Sequence, residues 1–170
     1  MKQPAVQDSY PDELNQCFGC GVHNPHGLQL KSYWSGEKLE ASFVPKPYHM
    51  AGPGFVYGGL IASLIDCHGT ATAAAIAKRA AERAGRDPSQ VRYVTASLEV
   101  HYVKPTPLGP PLRLEARARA AHRRRAVIDI ELSVDGVLTA RGTVVAVQIP
   151  KTMLERGSLE PEGLPDDEAG

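Results

Sequence analysis

The sequence has no charge excess of either sign: 19 Lys and Arg balance 19 Asp and Glu over 170 residues. Such a surface offers a polyanion no long-range pull, so neither nucleic acid nor an anionic membrane is an expected partner. Neither a helix-turn-helix nor a basic tail is evident. Cysteine is sparse and odd in number, three residues, which suits a reducing cytoplasm better than a disulfide scaffold. The opening residues, Met-Lys-Gln-Pro-Ala-Val-Gln-Asp, carry no apolar run, so no secretory signal is expected. The least polar stretch, residues 58–77, contains Asp66, His68 and threonines. One Asp costs about 3 kcal/mol at a bilayer centre, which argues against a membrane span.

What the chain does have is centred on Gly52-Pro-Gly-Phe-Val-Tyr-Gly-Gly-Leu-Ile-Ala-Ser-Leu-Ile-Asp66. Gly52, Pro53 and Gly54 break structure, and Leu60, Ile61, Leu64 and Ile65 then follow the period of a buried helix face. Gly58 and Gly59 fall where the helix begins. The first helical turn carries N–H groups without internal partners and a partial positive charge. Glycine there lets another oxygen approach the backbone, so the position suits a developing oxyanion. Asp66 follows two turns later, and Ala62, Ser63, Gly69 and Thr70, its helical neighbours, carry no positive charge. An ionised carboxylate on an apolar helix needs a partner from outside it. That partner is either a substrate and its water, or an Arg or Lys of a facing strand. Seven residues of helix separate Asp66 from Gly59 by about 10 Å. One carbonyl cannot touch both, so a site using both groups must draw them from two copies of the chain in antiparallel array.

Upstream, residues 1–16 read as a mobile or surface-lying lead-in with Pro4 and Pro11 as breakers. Cys17-Phe-Gly-Cys20-Gly-Val-His23-Asn-Pro-His26 has the outline of a zinc site, but its ligand pairs lie too close together for the usual finger. A turn with small buried thiols is the preferred reading, and no metal is expected. Residues 28–34 and 38–44 read as strands joined by Ser35-Gly36, and His49 lies in the irregular approach to the helix. The helix is expected over 57–83, with Cys67 and His68 as packing residues.

Downstream the chain is β. In 91–103 the alternation places Val94, Ala96, Leu98, Val100 and Tyr102 on one side, and Tyr93, Thr95, Ser97, Glu99 and His101 on the other. A strand lined by Leu112, Leu114, Ala116, Ala118 and Ala120 follows, then one lined by Ile128, Ile130, Leu132 and Val134. Pairing Arg119 with Asp129 also pairs Arg117 with Glu131, while Arg123 to Arg125 sit at the turn as a solvated tip or a phosphate anchor. Asp135-Gly136 signals a hairpin into a last strand over 137–149. Residues 151–170 are polar and acidic, and little order is expected. The order β-β-α-β-β-β-β gives an α+β domain over 17–150. In it, an antiparallel sheet of five or six strands wraps one long helix.

Three motifs together resemble the hot-dog fold acyl-CoA thioesterases, in the branch related to phenylacetate-pathway enzymes. They are Cys17-Phe-Gly-Cys-Gly with Asn24-Pro25 and Gly27-Leu28, then Tyr57-Gly58-Gly59 followed six residues later by Asp66, then Thr95-Ala-Ser-Leu-Glu-Val-His-Tyr-Val-Lys-Pro-Thr-Pro-Leu108. The resemblance covers about residues 17–149 and implies hydrolysis of acyl-CoA in a site between two subunits of a homodimer, with a dimer of dimers as the larger assembly. It casts Asp66 as general base or nucleophile, the Gly58 or Gly59 N–H as carbonyl donor, and Thr95 as the group holding the water or the carboxylate. Tyr57, Phe55, Val56, His49 and Lys104 are the expected substrate contacts. No cofactor is implied beyond the coenzyme A of the substrate. Tyr57 stands where most relatives carry His, and Ala51 where some carry Asn or Gln. Two other readings remain: a non-catalytic acyl-CoA-binding module, and a hydratase. The hydratase's acid and base are missing around Asn24-Pro25, where Val22 and Gly27 stand instead.

Overall fold

The structure is a computed structural model, and it describes residues 3–12, 15–88, 91–122 and 124–149. The elements are β1 (Ser32–Ser35), β2 (Lys38–Phe43), α1 (Gly58–Arg83), β3 (Tyr93–Tyr102), β4 (Leu112–His122), β5 (Arg125–Val134) and β6 (Val137–Gln148). All pairings are antiparallel, in the sheet order β1-β2-β4-β5-β6-β3. This is the hot-dog arrangement expected from the sequence. Asp135 and Gly136 both have positive φ, 48° and 78°, the geometry that lets a two-residue turn follow the twist of β5 and β6. The expected tail over 151–170 and Arg123 lie outside the described residues.

Helix α1 begins one residue after Tyr57, which caps it in extended conformation without a side-chain bond. Its 26 residues are long and apolar enough by composition to cross a membrane, yet 67% of the most apolar window is buried in the fold. Leu60, Ile61, Leu64 and Ile65 face Leu112, Leu114, Ile128, Ile130 and Leu132, all at most 6% exposed. Two glycines set how closely helix and sheet approach. A Cβ on Gly142 of β6 would lie 2.3 Å from Ile65 Cγ2, and one on Gly69 of α1 would lie 2.6 Å from Val144 Cγ2. Both neighbours are β-branched side chains with little freedom to retreat.

The expected alternation of β3 needs correction. A bulge between Thr95 and Ser97 leaves Thr95 opposite Ala146 and Ser97 opposite Val145. One extra residue reverses the parity of a strand. Tyr93 and Thr95 therefore share the core-facing side with Leu98, Val100 and Tyr102, although the sequence assigns them to opposite sides. The β4–β5 register is also corrected. Arg117 stands opposite Asp129 and Glu115 opposite Glu131. Arg119 nevertheless reaches Asp129, at 2.8 and 2.5 Å, because a bulge between Ala118 and Ala120 frees it from the ladder. Glu131 is met by Arg141 of β6 at 3.6 Å, and Glu115 by Lys38 at 2.7 Å.

The N-terminal segment does more than lie on the surface. A 3₁₀ turn, Val6–Ser9, inserts Gln7 fully into the interior. Its amide donates to Ser32 Oγ (3.2 Å) and accepts from the Ser32 N–H (2.9 Å). Ser32 Oγ lies 2.9 Å from His68 Nδ1, and His68 Nε2 lies 3.2 Å from the Leu39 carbonyl. A carbonyl only accepts, so Nε2 carries the proton and Nδ1 accepts from the serine. His68 is thus a neutral packing residue, and burial pulls its pKa down to about 4.

Two outcomes follow from this packing. Gly142→Ala should destabilise the fold by about 1–3 kcal/mol, read by chemical denaturation, because an added methyl has no room against Ile65. His68 binds its proton more readily unfolded (6.5) than folded (about 4), so its contribution is complete above pH 6.5. Below that it should fall by up to about 1.4 kcal/mol per pH unit until about pH 4. Denaturation at a series of pH values should show this slope as the difference between the native chain and His68→Gln, whose amide keeps both bonds without titrating there.

Candidate active site

Asp66 is half-buried on α1, and its carboxylate accepts a hydrogen bond from the Thr95 hydroxyl. The β3 bulge turns Thr95 toward the helix. Among the described residues no Lys or Arg pairs with Asp66, so the structure does not bear out a facing cation. Burial holds its carboxyl above the usual range, the Thr95 hydroxyl opposes that rise, and the nearby Cys17 adds to it. A carboxylate desolvated in this way and oriented by one hydroxyl is a competent base or nucleophile.

At the other end of the same face, the Gly58 and Gly59 N–H groups find no acceptor among the described residues, as expected at the head of a helix. The Gly58 carbonyl is tied back by the Tyr102 hydroxyl at 2.8 Å. The Tyr57 ring lies over Gly59, where a Cβ would stand 2.3 Å from Tyr57 Cε1. A side chain there would have to displace this ring, which is 58% exposed at the chain surface. Ser63 Oγ donates to the Gly59 carbonyl at 2.9 Å.

A groove of about 360 Å³ opens beside this helix start, lined among others by Phe18, Tyr48, His49, Met50, Tyr57 and Gly59. His49 lies 4.6 Å from the Tyr48 ring and accepts the Lys46 N–H at Nδ1 (3.0 Å), while burial and Lys46 lower its pKa. Its carbonyl accepts the Tyr57 N–H at 2.9 Å.

Of the residues singled out from the sequence, Asp66 and Thr95 therefore meet, and Tyr57, His49 and Gly59 share the groove. Phe55 is exposed and bridges to Pro107, and Val56 is buried beneath the helix start. Lys104 is exposed beyond β3, with no side-chain partner among the described residues. Sequence reasoning missed Tyr102 and Phe18. Tyr102 lay inside a recognised motif, and its place on the core-facing side was legible. Its reach to Gly58, 44 residues away, was not. Phe18 sits in a turn rich in glycine and cysteine, where no periodicity marks it out.

Residues 53–141, just over half the chain, match the family model described as the thioesterase superfamily. A thioesterase superfamily protein from Shewanella loihica PV-4 shares 48% identity, with a TM-score of 0.61, over 75% of this chain and 96% of that one. The E. coli PaaI protein of the phenylacetic acid degradation operon superposes with a TM-score of 0.58 at 15% identity, over 72% of this chain and 81% of that one. A Streptococcus mutans UA159 protein bound to acetyl CoA does so at 0.58 and 16%, over 75% and 95%. These last two likenesses speak for the fold. A search of the curated proteins returns no match. The family model spans the glycine pair and Asp66, and the Shewanella relative is 48% identical over most of both chains; the chain belongs to the thioesterase superfamily.

Proposed function

We propose that the protein hydrolyses acyl-CoA thioesters, and that the observation carrying this reading is Asp66: a half-buried carboxylate held by Thr95 with no cation beside it. In the reaction a water hydroxyl adds to the acyl carbon, the C–S bond breaks, and the coenzyme A sulfur takes the remaining proton. Asp66 acts either as general base toward that water or as nucleophile toward the acyl carbon, and Thr95 fixes its orientation. The free N–H of Gly58 or Gly59 stabilises the oxyanion that develops on the thioester oxygen.

About 10 Å of helix separates those two groups within one chain, so the donor and the acid come from different copies. The sheet supports this. β3 is a ten-residue edge strand paired, among the described residues, only with β6, and its residues 96–99 are exposed. A long edge with unpaired backbone is a template for a second strand. Pairing two β3 strands brings each Thr95–Asp66 pair to the subunit boundary. The assembly is accordingly a homodimer, the acyl chain enters the groove of Phe18, Tyr48 and Met50, and the compartment is the cytoplasm.

The Tyr57 ring above Gly59 favours a second reading, in which the protein binds acyl-CoA without turning it over. Thiol release from a panel of short, long and aromatic acyl-CoAs separates the two, since binding by calorimetry with no thiol released would select the second. Under the first, Asp66→Asn should lower turnover by about 10²–10⁴-fold with the dimer intact by sedimentation, and Thr95→Val should lower it by up to about a hundredfold. Undiminished turnover in Asp66→Asn would remove the assignment. Gly58→Pro deletes one N–H at the first position of the helix, which tolerates proline, after a Tyr57 already in extended conformation. Mixed with Asp66→Asn, it should recover activity through heterodimers that hold one complete site; silent mixtures would place both groups in one subunit.

A further inference from the structure

The thiols form a cluster that the hydrolytic site does not use. Cys17 and Cys20 come from the N-terminal turn and Cys67 from α1, and their three sulfurs lie within 4.8 Å of one another. The Cys17 and Cys67 sulfurs are 3.7 Å apart. At a metal–sulfur distance of about 2.3 Å, two thiolates on one tetrahedral zinc stand about 3.8 Å apart. A disulfide would need about 2.0 Å. The spacing is too long for a disulfide; it is that of the thiol–thiol hydrogen bond made here and also fits two ligands of one ion.

The turn that presents the thiols is fixed by backbone bonds. The Gly21 N–H reaches the Cys17 carbonyl (2.8 Å), the Leu28 N–H that of Phe18 (2.7 Å) and the Leu30 N–H that of Gly19 (3.0 Å). Gly19 sits so close to the helix that a Cβ there would lie 2.2 Å from Cys67 Sγ. The approach of the turn to Cys67 therefore depends on that glycine. Cys20 and Cys67 are each 5% exposed, whereas Cys17 faces solvent and provides the entry path. The two histidines that complete the sequence outline of a zinc site are elsewhere: His23 bonds Asp12 at 3.0 Å and His26 is exposed.

We propose that Cys17, Cys20 and Cys67 bind one thiophilic d¹⁰ cation, Zn²⁺ foremost, as a three-thiolate site that staples the N-terminal turn to α1. The ion displaces the thiol protons to solvent, no electron changes hands, and the fourth position opens on the Cys17 side to water or a small thiol. Each ligand is soft, as such cations prefer. The cluster adjoins Asp66, the residue before Cys67, but lends hydrolysis no reacting group, and the proposal stands whether or not that reading does.

The test is titration of the full-length, reduced, chelator-stripped chain with Co²⁺ under anaerobic conditions. A thiolate-to-cobalt charge-transfer band should saturate at one equivalent per chain and vanish on adding Zn²⁺. Loss of an outer-shell partner alone costs a site about 10–100-fold, so Cys17→Ser should weaken binding by at least about a hundredfold. His23→Ala and His26→Ala should leave it unchanged. Cys67→Ser should act like Cys17→Ser; if that buried change prevents folding, Cys17→Ser, at an exposed position, decides alone. The proposal falls if no band forms, if Cys17→Ser binds as the native chain does, or if binding depends on either histidine.

Discussion

The seating of Ile65 on Gly142 is the constraint from which the site derives. A methyl of Ile65 occupies the volume a side chain on β6 would need, and Val144 does the same against Gly69 one turn later. These two contacts leave α1 little freedom to slide or roll against the sheet. An α-helix turns about 100° per residue, so the residues after Ile65 must look in different directions. Asp66 meets Thr95 of β3, Cys67 meets Cys17 of the N-terminal turn, and His68 meets Ser32 of β1 and the Leu39 carbonyl of β2. Four consecutive side chains thus tie one helix to four parts of the fold. The carboxylate, with one hydroxyl on it, is left with acceptor capacity unspent.

That arrangement explains why an acid is tolerated at position 66. Turned toward β6, a carboxylate would be buried among aliphatic side chains at a cost of several kcal/mol. Turned toward β1 and β2 it would meet the Leu39 carbonyl, an acceptor, which is where His68 puts an N–H instead. The remaining direction faces an edge strand, where one hydroxyl is available and burial is incomplete. The pKa is accordingly raised by desolvation and held back by Thr95. The position gives an acid both orientation and access.

Much of this was legible in the sequence because it is local. The bounds of α1 follow from the glycines before it and the apolar period after it. The β5–β6 hairpin follows from Asp135-Gly136, and the inward row of β5 from strict alternation. What was not legible is what tertiary structure decides. The bulge at Thr95/Ser97 inserts one residue into an otherwise regular pattern, and nothing in Val-Thr-Ala-Ser-Leu announces it, so Thr95 was assigned the side opposite Leu98. Arg119 reaches Asp129 through a second such slip. The Cys-x2-Cys spacing suggested histidine ligands nearby in sequence, whereas the third thiol comes from a helix 50 residues away.

The same bulge links the proposed hydrolytic site to the proposed dimer. Beyond it, β3 continues as an exposed edge carrying Leu98 and Tyr102, which are 38% and 55% exposed although their side of the strand faces the core. Apolar residues on that side remain uncovered because β3 outruns the cover that one helix provides. Tyr48, Met50, Phe55 and Tyr57 add further exposed apolar surface around the start of α1. A contiguous apolar region of this kind is more often an interface than bare surface. Here it adjoins both the amides of Gly58 and Gly59 and the strand that holds Asp66. Covering it with a second copy removes apolar area from water and brings the acid of one chain toward the amides of the other, so one contact serves both stability and chemistry.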